Sequence, residues 1–478
     1  MALLLAAFVV ASFQSTPAAI DPAITRADLQ RTLAFLASDE LQGRSTGTPE
    51  ALRAAEFLAQ GLARAGIAPG GDDGTYLQRV PMSQVTFKGV PKLVAWDASG
   101  AQSELVCGVD FEWSGGVPTK KRLRARAVTK DDEMMKFTDD EVALFLDGSM
   151  SDRRRWLGDG RGAGFGLIIA PGNDAAGKEP STKPPRSSRS STDKSALPPG
   201  SIRAHGSFLA ALRAGNVKAL RVECDVEVLD LPAANVIGVL RGAGTPDEPT
   251  LAEQAIAFSA HYDHIGHREP SSDPSVDSIM NGADDDASGC AAVLELAEAF
   301  GSGPKPARTL IFFFATGEEI GLVGTKWYIE HPLVPIEKTV CDLNFEMIGR
   351  PDELAGGAGK LWLTGYERSN LGPEFVARGM PVVADPRPDQ NFFGRSDNYA
   401  LALRGVVAQT LSSFNLHKDY HGVDDELERI DFAHMESALR AAWPAIQALG
   451  RGTLDPAWNP GGDPSKKSTP APRKDAGK

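Results

Sequence analysis

Short apolar runs that end in glycine or a polar residue recur through the second half of the chain. Ile256-Ala257-Phe258 leads into Ser259-Ala260-His261-Tyr262-Asp263, and Leu310-Ile311-Phe312-Phe313-Phe314 into Thr316-Gly317-Glu318-Glu319. Val340-Cys341-Asp342-Leu343-Asn344-Phe345 leads into Glu346 in the same way. Runs this short and this continuous predict strands buried on both faces of a sheet. Between them Ala292, Val293, Leu296, Ala297 and Phe300 recur at helical spacing, and Asn235–Leu240 predicts a further strand. The expectation is an α/β fold, a mixed and mostly parallel sheet flanked by helices. From about Val85 to Val228 the pattern changes to shorter strand-like runs, Val142–Leu146 and Gly166–Ile169, with Gly162, Gly164 and Gly166 between them. That change predicts a separate β-rich domain. Lys178 to Gly200 and Asp455 to Lys478 are rich in Pro, Ser, Lys and Arg. Such composition buries too little apolar surface to offset its ordering entropy, so both stretches are expected to be disordered.

Composition narrows the class. With 478 residues, 42% hydrophobic and 24% charged, the chain has the make-up of a soluble globular protein of up to about three domains. A net charge of −13 argues against nucleic acid as a partner. Cys107, Cys224, Cys290 and Cys341 are scattered, with no CxxC pair, and form neither a disulfide framework nor a zinc finger. Ala2 to Ala11 is apolar but too short to span a bilayer, and small residues follow, with a cleavage site near Ala18 or Ala19. Residues 1–19 therefore read as an export signal, although no Lys or Arg precedes the apolar stretch. A secreted or periplasmic protein without stable membrane insertion is expected, because no later apolar run reaches the length of a spanning helix. Oligomeric state is not legible.

The chemistry lies at the ends of the predicted strands. His261, Asp285, Glu319, Glu346 and His421 bring two imidazoles and three carboxylates, with Glu318 left over. Borderline-soft zinc accepts both nitrogen and oxygen ligands, so this set can hold two ions and leave one carboxylate to move protons. A helical His-Glu-x-x-His site would keep its ligands within one turn, whereas these span about 160 residues. Each must arrive on its own loop, and in open α/β sheets such loops gather beyond the carboxyl ends of the strands. Taken singly, the features are ordinary. A Glu-Glu pair is usually a solvated feature, and Asp284 to Asp286 alone would equally suit a calcium loop. His264, His267 and His331 lie outside any motif and are expected at the surface or behind the ligands. His417, four residues before His421, is a competing ligand or a neighbouring polar group.

His261-Tyr262-Asp263-His264, Asn281-Gly282-Ala283-Asp284-Asp285-Asp286-Ala287-Ser288-Gly289 and Gly317-Glu318-Glu319-Ile320-Gly321-Leu322-Val323-Gly324 resemble the M28 family of co-catalytic zinc peptidases. The resemblance covers roughly Val236 to Arg451 and also Leu33 to Gln78, where Leu41-Gln42-Gly43-Arg44 looks like the region preceding the core in bacterial members. It implies that Asp285 bridges two zinc ions, that His261 and Glu346 complete one site, and that Glu319 and His421 complete the other. It implies Glu318 as general acid/base, a choice between adjacent glutamates that the residues alone do not make. Asp263 would support His261, and Asp397, in Ser396-Asp397-Asn398, would orient a ligand in a similar way. Glu346 stands where the family commonly has Asp. The domain expectation is residues 22–84 and 229–452 as the catalytic core, 85–228 as an inserted protease-associated-like domain with 178–200 disordered, and 453–478 as a disordered tail. The implied reaction removes the N-terminal residue of peptides with a free amino terminus. The alternatives are a glutaminyl cyclase-like acyltransferase with one zinc, or a non-catalytic receptor or scaffold on the same fold.

Overall fold

A computed structural model describes residues 24–128, 137–146, 165–172, 179–185, 188–190, 197–268, 273 and 275–466. The export-signal reading of residues 1–19 lies outside them. The described chain forms two compact units, one from residues up to Val80 and from Pro232 onward, the other from Pro81–Leu231.

The first unit is built on a mixed sheet whose centre is four parallel strands, in the order Thr309–Ala315, Ala255–His261, Thr339–Phe345 and Val407–Ser412. Ala234–Leu240 adds antiparallel on one side and Leu361–Leu363 on the other, and Val382–Ala384 lies at the far edge. The continuous apolar runs follow from burial on both faces. On one face Ile256, Phe258 and Ala260 register with Leu310, Phe312 and Phe314 beneath the helices Gly289–Gly301 and Phe432–Arg451. Phe258 stacks on Phe300 and Phe312 at 5.8 Å each, and Phe300 meets Trp443 edge-on at 4.7 Å. On the other face Ala257, Ile311, Phe313 and Tyr328 form a second cluster. Each fully buried aromatic contributes roughly 2 kcal/mol from apolar area alone, which fixes the sheet on which the loops sit.

The N-terminal segment contributes two helices, Arg26–Leu36 and Pro49–Arg64, to the first face. Thr25 and Thr48 cap them, each accepting from a backbone N–H three residues on. Between the helices Gly43 turns at φ +68°, where a Cβ would lie 2.4 Å from the Gly266 carbonyl oxygen, so only glycine fits.

In the second unit an eight-stranded sheet packs on the helix Gly206–Arg213, with Phe111, Leu144, Ile169, Ile202, Phe208 and Leu220 in its core. A smaller sheet pairs Ser83–Phe87 with Val226–Asp230 and with Ser188–Ser190.

Two stretches expected to lack structure are partly built in. Within Lys178 to Gly200, Ser188–Ser190 pairs with Ser83–Phe87, and Pro199 bridges Val117. The tail expectation needs the same correction as far as residue 466. Ser369 bridges Trp458, whose indole donates to the Gly405 carbonyl at 3.1 Å. Asn459 donates to the Glu367 and Ser369 carbonyls at 2.8 and 2.9 Å. One aromatic ring and satisfied backbone groups hold a segment whose average composition predicts none.

Candidate metal centre

The candidate residues meet beyond the carboxyl ends of the four parallel strands. His261 closes its strand, Glu318 and Glu319 follow Thr309–Ala315, Glu346 follows Thr339–Phe345, and His421 lies on the loop after Val407–Ser412. Asp285 sits in the loop that opens the helix Gly289–Gly301.

Asp285 lies between the two imidazoles. Its Oδ1 is 3.2 Å from His261 Nε2 and its Oδ2 is 3.1 Å from His421 Nε2. His421 Nε2 also lies 3.4 Å from Glu319 Oε2. The carboxylate thus faces a different histidine with each oxygen. Spacings near 3 Å are those of direct hydrogen bonds and also bring the same donor atoms close enough to share a cation, and the donor types suit zinc. Burial works against charge on Asp285, yet hydrogen bonds from His261 and His421 hold its pKa well below the ordinary value. Glu318 goes the other way. Burial, then repulsion from Glu346, Asp397 and Glu319, pushes it well above the usual range despite nearby His261. Glu346 is raised to about 7 by burial, with Asp285 and Asp397 adding to the effect, and Asp397 is raised to about 6, mainly by burial. So many carboxyls crowded together resist common ionisation unless a cation stands among them. The residues fit a metal centre.

The neighbours of Asp285 tie down the loops. Asp286 accepts from the backbone N–H groups of His261, Gly289 and Met347 at 3.0–3.2 Å. Asp284 accepts from Gly349 N–H at 2.7 Å, and its other oxygen is 3.1 Å from His417 Nε2. His417 is thus turned to Asp284, away from a ligand role. Asp425 accepts from the N–H groups of both Asp284 and Asp285 at 3.1 Å. Arg350 joins Asp425 at 2.9 Å to Asp419 at 2.7 Å, linking the His421 loop to the aspartate loop.

Asp263 stands beside His261, but His261 Nδ1 bonds to the Asp263 backbone oxygen at 3.1 Å and lies 3.9 Å from its carboxylate. That carboxylate is engaged by the Thr46 hydroxyl at 2.6 Å and Glu318 N–H at 3.1 Å. It therefore fixes the Glu318 loop as much as the imidazole. Asp397 is fully buried and close enough to Glu318 and Glu346 to raise both.

Sequence reasoning gave no role to two supports, Arg44 and Arg350, and left a third, His264, between two positions. Arg44 is completely buried and donates to the carbonyls of Tyr262 at 2.8 Å, Asn281 at 2.5 Å, Gly282 at 3.0 Å and Leu36. It clamps the His261 and Asp285 loops together, which gives the Leu-Gln-Gly-Arg phrase its physical purpose. Arg350 carried no signal beyond its nearness to Glu346. His264, expected at the surface or behind the ligands, is fully buried with Nδ1 2.8 Å from Glu319 Oε1. Its signals were its place at the end of the His261-Tyr262-Asp263-His264 phrase and the three-residue spacing from His261, which left surface and buried positions both open.

The centre opens into a cavity of about 420 Å³. Asp285, Glu318, Glu319 and Glu346 line one side, while Met347, Trp362, Phe392, Phe414 and Tyr420 supply apolar and aromatic surface. Tyr420 stacks on His421 with ring centroids 3.8 Å apart, holding that imidazole at the rim.

This geometry has relatives. Residues 235–446 match the family model for Peptidase family M28. Leupeptin-inactivating enzyme 1 of Streptomyces exfoliatus is 30% identical over 38% of this chain and 45% of its own length. "Probable lipoprotein aminopeptidase" of Mycobacterium tuberculosis is 29% identical over 50% of this chain and 47% of its own. The chain thus spans about half the length of these curated relatives. The solved aminopeptidase from an Aneurinibacillus species has the same fold, with a TM-score of 0.50 at 20% identity over 90% of this chain and 95% of that one. The resemblance read from the ligand phrases is thus matched, over residues 235–446, by the model for Peptidase family M28.

Proposed function

We propose that the protein is a zinc-dependent aminopeptidase that removes N-terminal residues from peptides. The observation that carries this reading is Asp285, with one oxygen toward His261 and the other toward His421. A carboxylate placed so suits two ions, which favours a hydrolase over a cyclase with one. His261 and Glu346 would hold one zinc, Glu319 and His421 the other, and Asp285 both. Bound zinc supplies a Lewis acid that lowers the pKa of a water toward neutrality and polarises a scissile carbonyl. Glu318 would take the proton from that water and hand it to the departing amine. Its backbone N–H, held by Asp263 at 3.1 Å, fixes where the side chain starts. The carboxylates lining the cavity favour a free, charged α-amino group beside the bond to be cut, and the apolar surface from Met347 to Tyr420 favours a bulky apolar first side chain.

We read Pro81–Leu231 as a protease-associated-like insertion, from its place between two segments of the catalytic unit and its β-rich build. Export is the location this reading assigns, from the apolar residues near Met1. No described helix is long and apolar enough to cross a membrane.

Elemental analysis and arylamide hydrolysis test the assignment together. The purified protein should carry about two zinc ions per chain. Chelation should abolish hydrolysis of leucyl arylamide, and added zinc should restore it. Zinc-loaded protein that cleaves no aminoacyl arylamide would overturn the reading.

A further inference from the structure

We propose that His264 is a fourth protein ligand at the Glu319–His421 side of the centre, so that the two metal positions differ in kind. The inference rests on the metal-centre reading above. His264 is buried, and neither ring nitrogen has a hydrogen-bond partner among the described residues. A neutral imidazole left so would forfeit about 1–3 kcal/mol per unsatisfied group, so the arrangement calls for a partner that the protein atoms do not supply. Its Nδ1 is aimed into the centre, 2.8 Å from Glu319 Oε1 and 3.9 Å from Asp285 Oδ2. Glu319 Oε1 is likewise without a hydrogen-bond partner, so the two atoms are close without being bonded to each other.

His421 Nε2 faces the same carboxylates from the other side, 3.1 Å from Asp285 Oδ2 and 3.4 Å from Glu319 Oε2. The two rings stand edge-on with centroids 5.7 Å apart. Tetrahedral zinc with bonds near 2.0–2.1 Å separates its ligand atoms by roughly 3.3 Å. The four measured separations lie on both sides of that value. His264, Asp285 and Glu319 place ligand atoms within 4.8 Å of one another, and His421 approaches the same two carboxylates, which makes these four the candidate ligand set.

The backbone builds this position deliberately. His264 N–H donates to the Arg44 carbonyl at 3.1 Å. Its ring lies against Gly282, where a Cβ would come within 2.7 Å of ring carbon Cδ2. Glycine at 282 is thus needed both for φ +58° and for room beside the imidazole. The other position would draw on His261 and Asp285, 3.2 Å apart, and on Glu346, which lines the cavity beside Asp285, three protein ligands with the cavity open to them. Closed sets characterise structural zinc, and three ligands with one open position characterise catalytic zinc. The consequence is one tightly held ion and one exchangeable ion.

Cobalt-substituted protein gives the direct test by proton NMR. Three sets of hyperfine-shifted imidazole signals are expected in the wild type, from His261, His264 and His421, and His264→Ala should lose one set. Chelator competition should show two zinc affinities in the wild type, and His264→Ala should weaken the tighter one by at least about 100-fold, beyond the range usual for second-shell changes. His264→Asn, which keeps a hydrogen-bond donor but is a poor zinc ligand, should behave like His264→Ala. Only two imidazole sets in the wild type, or rescue of affinity by asparagine, would overturn the ligand role. Wild-type protein that binds no zinc would instead overturn the functional reading on which this one stands.

Discussion

Glu318 and Glu319 are neighbours in the chain with different surroundings. Glu319 faces His264 and His421, whereas Glu318 is pressed among Glu346, Asp397 and His261. Glu318→Gln should keep its zinc and lose turnover by about 10²–10⁴-fold or more, the usual weight of a general acid/base group. Glu319→Gln should lose metal. Zinc content and kcat measured on both variants check the order, and the opposite pattern would exchange the two roles. The apolar side of the cavity adds a substrate expectation. Leucyl and phenylalanyl arylamides should exceed lysyl ones in kcat/KM by at least about 10-fold, since the cation nearest the aromatic surface, Arg395 over the Phe392 ring, would repel a second one. Equal rates would remove the assignment of Met347, Trp362 and Phe414 to the first side chain.

The loops are positioned by groups that never touch substrate. Arg350 holds Asp419 on one side of His421 and Asp425 on the other, and Asp425 grips the backbone of Asp284 and Asp285. Arg350→Met leaves these carboxylates without their cation. It should cost on the order of 3 kcal/mol in stability and weaken zinc retention with no ligand altered. Urea unfolding and chelator competition check this, and an unchanged variant would mean the two loops are not coupled through Arg350. At this scale the sequence was partly legible. Strands such as Ala255–His261 and Thr309–Ala315 were visible as apolar runs, because burial on both faces leaves no other composition. The ligand phrases were visible because metal chemistry admits few residue types. His264 was not, because a lone histidine becomes a buried partner of Glu319 only through Arg44 and Gly282, which approach from distant parts of the chain. Arg44 and Arg350 were hidden for the same reason.

Across the whole catalytic unit, burial of charge sets the pH response. Glu295, on the helix Gly289–Gly301, is raised to about 8, chiefly by burial, while it accepts Thr25 N–H at 3.0 Å. Unfolded, it ionises near 4.5, so between that value and about 8 unfolding releases a proton. Its contribution to stability therefore falls as pH rises through that window and levels off above it. Glu295→Gln keeps the acceptor and removes the ionisation, so it should raise Tm at pH 8 and leave it nearly unchanged at pH 4. A gain at both pH values alike would point to a packing effect instead. The C-terminal stretch gives a second test. Truncation before Asp455 removes the Trp458 and Asn459 contacts and the Arg308–Asp455 pair, so Tm should fall by several degrees. An unchanged Tm would restore the composition-based expectation for residues 455–466, which failed because an average over a segment conceals one anchoring tryptophan.

The central claim is that a free α-amino group is held at the centre beside the bond to be cut. Acetylation removes that charge and adds bulk, so the anchor that positions the carbonyl is lost. The most direct measurement compares kcat/KM for leucyl arylamide and its N-acetyl derivative on zinc-loaded protein. The acetylated substrate should be cleaved at least about 100-fold more slowly, equivalent to roughly 2.7 kcal/mol in the barrier. Comparable rates on the two substrates would contradict the account and leave a metallohydrolase that does not read the amino terminus.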